Sequence, residues 1–475
     1  MLSAMVMVVG LVGLVFLLPG AGASLGGAPW DLDLVQAEKL LPDDDSAALF
    51  GHSVALSGDT ALVGAIGDDH HGDNSGSASV FVRSPGAWRR QAKLLASDGA
   101  AGDILGYSVA LSGDTALVGA AGDNGKGTSS GSAYVFVRSL GAWRRQAKLL
   151  ASDGAAGDQF GYSVALSGDT ALVGAFFDDD HGESSGAAYV FVRSGTAWSE
   201  QAKLIPADGP PGAQFGRSVA LLGDTAFLGA PRDDHHGESS GGAYVFGRSG
   251  ETWTQQAKLA GTDGAPGDQF GQSVALSGDT ALVGARDDDD RGENSGSAYV
   301  FGRLGEVWNE RAKLLAADGA PGDIFGYSTA LSGDTALVGA LSDDDRGAGA
   351  GAAYLFMRSG TLWSEQPKLL APDGAPGDQF GSSVAVSGDT ALVGALKSQG
   401  TGLSSGSGYL FAPRSAVIPK AVSPIPKAPN SSSADAGPRS DERTLVTMSA
   451  MFVSGLGAAL IIAVAFRRRR RGAGS

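Results

Sequence analysis

The chain has 475 residues, 74 glycines, no cysteine and a formal net charge of -16. The missing cysteines exclude disulfides, thiolate metal sites and cysteine nucleophiles together. The acidic balance argues against nucleic acid as a partner, because phosphate binding needs a basic surface.

The first element is apolar, MLSAMVMVVGLVGLVFLLPGAGA. Its apolar stretch ends at Leu18 and is followed by Pro19 and the small residues Ala21-Gly22-Ala23. Residues 1–23 therefore read as a signal peptide cleaved after Ala23. No Lys or Arg precedes the stretch, so an uncleaved anchor is the alternative.

Residues 24–412 are dominated by one sentence said seven times. FGYSVALSGDTALVGA occupies 160–175, and near copies begin at Phe50, Leu105, Phe215, Phe270, Phe325 and Phe380, always 55 residues apart. Within one unit, SVALS (163–167) and TALVGA (170–175) are short β-type runs joined by Gly168-Asp169. A Gly-first pair between such runs predicts a tight hairpin. FFDDDHGESSG is a polar loop, AAYVFV (187–192) a third strand, and WSEQAKLI (198–205) a fourth. Four antiparallel strands at a fixed period describe a propeller blade.

The Gly-Asp-Thr turn and the third strand each occur seven times. The fourth strand, marked by Trp and Lys-Leu, follows only six of them, whereas a seventh Lys39-Leu40-Leu41 precedes the first repeat. The expected fold is thus all-β: a seven-bladed β-propeller of four-stranded antiparallel blades. An N-terminal strand closes the ring, which removes the open sheet edges. The tryptophans Trp88, Trp143, Trp198, Trp253, Trp308 and Trp363 recur at the start of strand four and read as packing residues.

Residues 413–443 are rich in Pro, Ser and Ala, without apolar periodicity, and read as an extended disordered stalk. Leu445 to Phe466 carry no charge over 22 residues, enough to cross a bilayer as a helix. Residues 444–466 are therefore expected to span the membrane. The tail 467–475 begins with five arginines and stays cytoplasmic by the positive-inside rule, which places the propeller outside. Such a helix with an arginine tail also resembles bacterial surface-sorting tails, whose last residues are removed.

Phe-Gly, then about a dozen residues, then Gly-Ala before a polar loop resembles the FG-GAP repeat, over roughly residues 36–412. Gly229-Ala230-Pro231 alone shows the full Gly-Ala-Pro. The family includes the propeller of integrin alpha chains and many bacterial surface proteins. The resemblance implies an extracellular propeller used for binding or adhesion. Integrin-type blades often carry an Asp-x-Asp-x-Asp-Gly calcium loop between strands one and two. Here that position holds only the Gly-Asp hairpin, so those sites do not carry over.

Acidic residues concentrate instead in the loops between strands two and three and in the exits from strand four, which share one face. That face is expected to be a crown of carboxylates and the opposite face nearly plain. Two readings of the crown stay open: a solvated acidic rim, and a site for Ca²⁺, which takes six to eight oxygens. In the second reading the ligands are Asp178, Asp180 and Glu183, then Asp233 and Glu238, then Asp287, Asp289 and Glu293. The pairs His70-His71 and His235-His236 are the one hint of a transition metal, and adjacent residues rarely converge on one ion. Blades two and seven are poorest in acid, so a ligand that avoids charge would bind there.

The expected function is a cell-surface module that binds an extracellular protein or glycan through one propeller face, with calcium as an optional aid. A structural spacer of the cell envelope is the alternative. An enzyme is not expected: there is no nucleophile elbow, HExxH or phosphate loop, and the unbroken 55-residue period leaves no blade a lid. A hydrolase using paired carboxylates is the remaining rival.

Overall fold

Each blade grows from its tightest turn. In the third repeat, Ser163–Ser167 and Thr170–Ala175 pair antiparallel around Gly168-Asp169. Gly168 has φ +57°, the positive value a II′ hairpin asks of its first central residue. Ala187–Ser194 and Ala197–Leu204 then add as third and fourth strands. TALVGA is buried at every position because it lies second of four, with a neighbouring blade over each face.

The computed structural model describes residues 34–413, apart from 44–47, 85–86, 401 and 403. The expected signal peptide, stalk and membrane helix and the arginine tail lie outside the described residues, apart from Pro413 at the start of the stalk. Among the described residues no helix is long and apolar enough to cross a membrane.

Seven four-stranded antiparallel sheets are present, and the innermost strands of successive blades touch all the way round, blade seven against blade one included. The ring closes through the N-terminal strand Leu34–Leu40, which pairs with Ser407–Pro413 as the outer strand of blade seven. The hybrid blade expected from Lys39-Leu40-Leu41 is therefore the one observed. In blade six the outer strand is cut to Leu362–Glu365. There Pro367 replaces the alanine of blades one to five and removes a ladder donor.

The blades are stitched by backbone contact. Ser163 Oγ donates to the Gly216 carbonyl of the next blade at 2.7 Å. The same bond recurs from Ser53, Ser108, Ser218, Ser273, Ser328 and Ser383, the last reaching Gly51 of blade one. A Cβ on Gly174 would lie 2.1 Å from that Gly216 oxygen. This close approach is why the Val-Gly-Ala of strand two keeps its glycine.

A bulge in strand four sets the outer contacts. Val190 pairs with Ala202 and Phe191 with Glu200, so Gln201 is skipped and turned toward the next blade. It accepts the Trp253 indole N–H at 3.0 Å, as Gln146 does from Trp198 and Gln91 from Trp143. The recurring tryptophans thus act as packing residues at blade interfaces. The bulge explains why a Gln precedes Ala-Lys-Leu: it re-aims one side chain and shifts the pairing by one residue across it.

Candidate functional site

The loops between strands two and three do form one face with the exits from strand four, but their innermost carboxylates are not free. In blade three Asp178 is buried, and Lys203 of the fourth strand lies 2.8 Å from it, 2.9 Å from Asp153 of the preceding blade and 2.5 Å from Asp180. The Tyr189 hydroxyl stands 2.7 Å from Asp178 and 2.8 Å from Asp153 and donates to one at a time. The unit repeats as Lys148 with Asp123 and Asp98, Lys258 with Asp233 and Asp208, Lys313 with Asp288 and Asp263, and Lys368 with Asp343 and Asp318. Lys93 meets Asp68 and Asp43, and Lys39 meets Asp373, so the pattern runs through the closure as well. In blade seven Ser398 takes the buried aspartate's place and donates to Ser407 Oγ.

These positions decide the fate of the metal-ligand candidates. Asp178 and Asp180 are brought together, on Lys203. Asp233 is buried against Lys258 and the Tyr244 hydroxyl. Blade five is offset by one residue: Asp288 and Asp290, not Asp287 and Asp289, occupy the places of Asp178 and Asp180 around Lys313. Asp287 accepts from Gln269 and Arg286 instead, and Asp289 accepts the Asn294 N–H within its own loop. Glu183, Glu238 and Glu293 are exposed. Where carboxylates converge, an ammonium already sits among them, so a calcium ion would have to displace it. Among the described residues no group of three His, Asp or Glu is placed to hold a metal.

The opposite face is not plain. Asp59, Asp114, Asp169, Asp224, Asp279 and Asp334 of the hairpin turns are exposed, each held by an arginine from its own third strand. A count of acids along the loops overlooked them because each stands alone in its turn.

The crown titrates in two groups. Burial works to raise the pKa of Asp153, but hydrogen bonds and charge from Lys203 and the Tyr189 hydroxyl outweigh it and hold the carboxyl low. Asp98, Asp263, Asp318 and Asp373 behave alike. Asp268 moves the other way, to about 6: burial raises it, the Ala265 N–H opposes, and Asp288 adds repulsion. Asp103, Asp158, Asp323 and Asp378 are raised also, chiefly by burial. A raised carboxyl binds its proton more tightly when folded, so its contribution is complete below the unfolded pKa and is lost as pH rises through the folded value, about 6 for Asp268. A lowered carboxyl stabilises above the unfolded value, about 4, and fails as pH falls below it. The thermal midpoint is therefore expected to rise from neutral pH to about pH 5 and to fall below about pH 4. A scan of midpoint against pH checks both arms.

Inside the crown lies the mouth of the central channel, a cavity of about 250 Å³. Its ring consists of the residues that follow each Phe-Gly: His52, Tyr107, Tyr162, Arg217, Gln272, Tyr327 and Ser382. Both neighbours of this position scarcely change, with Gly before it and Ser after it in all seven repeats. The Ser and the Val or Thr that follow it in each repeat line the same channel.

The ring is lopsided. His52, Tyr107, Tyr162, Phe176 and Phe177 pack in sequence as tilted rings, with centroids 4.6, 4.6, 4.1 and 3.9 Å apart. The Arg217 guanidinium lies over Tyr162 and Phe176 at 5.1 and 5.3 Å. His52 Nδ1 donates to the Tyr107 carbonyl at 3.0 Å. Burial lowers the His52 pKa against that bond, so the ring is neutral at pH 7. Opposite the arc, Gln272 is only 8 % exposed and its Oε1 has no partner. An aromatic wall, a cation and an unsatisfied amide oxygen converge on one small opening, the mix that fixes a ligand's orientation. The sequence held the signal for this ring, one variable column in a near-constant repeat, but acid counting pointed to the rim instead.

The family model described as FG-GAP repeat matches seven segments, residues 34–81, 88–136, 143–191, 198–246, 253–301, 308–356 and 363–411. No curated protein matches the chain.

Proposed function

The chain belongs to the FG-GAP repeat family, and from that premise we propose that it is a cell-surface recognition module whose channel mouth takes an extracellular glycan or protein. One observation carries this reading. Within the sixteen residues from Phe-Gly to Gly-Ala the repeats keep almost every residue, yet they vary at the ring of seven that faces the channel. Packing supports the constancy elsewhere and does not call for five residue types at one equivalent position. The ion-paired crown then serves as scaffold around the mouth. Recognition proceeds without bound calcium in this reading, because lysine ammoniums stand where carboxylates meet.

Placement at the cell surface rests on the apolar N-terminal segment and on the apolar stretch followed by five arginines. The reading is of a binder, not an enzyme: each repeat keeps its 55-residue length, so no blade provides a lid over a reaction.

The test uses residues the ring already tolerates. Gln272 and Ser382 show that Gln and Ser fit this position. The double variant Arg217→Gln, Tyr162→Ser is expected to keep its thermal midpoint within a few degrees. It is expected to lose at least about tenfold in affinity for whichever member of a glycan and matrix-protein panel the native chain binds. Equal binding by both proteins, or no binding by the native chain, would contradict the assignment.

A further inference from the structure

Seven interfaces built from nearly one sequence act as controls for each other. At the first three, a valine of the third strand (Val82, Val137, Val192) and the bulged Gln–Trp hydrogen bond fill the groove on the hairpin-turn side. Between blades four and five the valine is Gly247, and Gln256 folds onto it. Trp308 then loses its partner, and it stacks at 15° and 6.2 Å on Phe227, a leucine in every other blade. That groove is filled by an indole.

Between blades five and six the Arg311 side chain lies over the corresponding glycine, and the rest of the space stays open. Gly302 again replaces the valine, but residue 282 is leucine and Trp363 stays half-buried at the side. The bulged residue is Arg311 instead of glutamine: Val300 pairs with Ala312 and Phe301 with Glu310, skipping it. The result is a cleft of about 780 Å³, lined by Val300, Phe301, Gly302, Arg311, Arg358 and Trp363 among others. Arg358 is engaged by Asp334 and Thr280. Arg311 is exposed and makes no ion pair or hydrogen bond among the described residues.

We propose that this cleft binds a small organic anion carrying a flat apolar ring. The ring occupies the open part of the cleft, beside Val300, Phe301 and Trp363. The anionic group meets the unpaired Arg311 guanidinium, whose planar fork suits a carboxylate. The volume lies within the range of about 300–1,000 Å³ common to small-molecule sites. The site is on the face opposite the channel mouth and stands or falls independently of recognition there.

Indoleacetate is the direct probe, since it joins an indole to a carboxylate. Titrated into the full-length chain by calorimetry, it is expected to bind at one site and about tenfold more tightly than indole. Gly302→Val restores the residue of blades one to three, and Arg311→Gln the residue of every other blade but the seventh, so both variants have a precedent for folding. Each is expected to weaken indoleacetate binding at least about tenfold, with the thermal midpoint preserved. The Arg217→Gln, Tyr162→Ser variant is expected to bind it as the native chain does. No binding at millimolar probe, or binding unchanged in Gly302→Val and Arg311→Gln, would overturn the proposal.

Discussion

A chain lacking residues 34–43 is expected to lose its cooperative unfolding transition and to aggregate. The deletion removes the outer strand of blade seven, Leu34–Leu40, together with its pairing to Ser407–Pro413. It also removes Leu40, which is 2 % exposed in the core shared by blades seven and one. Three ion pairs go with it, Lys39 to Asp373 and both Arg90 and Lys93 to Asp43. The third strand of blade seven would then present a bare, apolar edge, a template for pairing with another chain. Deleting residues 414–475 touches none of these contacts and serves as the control. Calorimetry reads the transition and light scattering the aggregation. A deletion protein that melted sharply as a monomer would mean that the ring does not depend on its closing strand.

The second large effect is expected at Lys203. Its side chain is 15 % exposed, and Asp178 beside it is 4 % exposed. Lys203→Ala leaves the buried Asp178 carboxyl without its cation, with the Tyr189 hydroxyl and the Asp180 N–H to meet it. Breaking a buried pair from one side costs about 3–5 kcal/mol, and the exposure of Asp153 and Asp180 places this case near about 3 kcal/mol. Lys39→Ala is the internal contrast. Blade seven has Ser398 in place of the buried aspartate, and Asp373 is 56 % exposed, so removing Lys39 should cost about 1 kcal/mol or less. Urea unfolding of both variants measures the difference. Equal losses would mean that the lysines act through their aliphatic stems and not through the buried charge.

The fold was legible because the repeat made it so. A 55-residue period, a Gly-first turn and alternating runs specify each blade, and the displaced Lys39-Leu40-Leu41 specifies the closure. The sites were harder to read for a physical reason. Carboxylates that alternate with glycine along a loop look free in sequence, and their partners lie on other strands. Tyr189 is reached across its own blade and Lys203 from the outer strand. Both recur at the same period as the acids, so a column-by-column comparison would have joined them. In blade five, Asp287 fills the column held by Phe177 and Arg232 elsewhere. The run of four aspartates hides the register, and the pair is read one residue early. The channel ring escaped notice because one variable position in sixteen carries no chemical signature until the inner strands stand around an axis.

The central claim is that the acidic face supplies its own cations and so forms a scaffold around the channel mouth. Thermal unfolding of the chain in millimolar calcium and in chelator, at matched ionic strength, tests it most directly. A ligand that binds only the folded state must raise the midpoint. The account predicts midpoints that agree to within about 1 °C, because Lys203, Lys258 and Lys313 already hold the places a metal would take. A rise of several degrees in calcium, abolished by Asp178→Asn, would contradict it and make the crown a metal site.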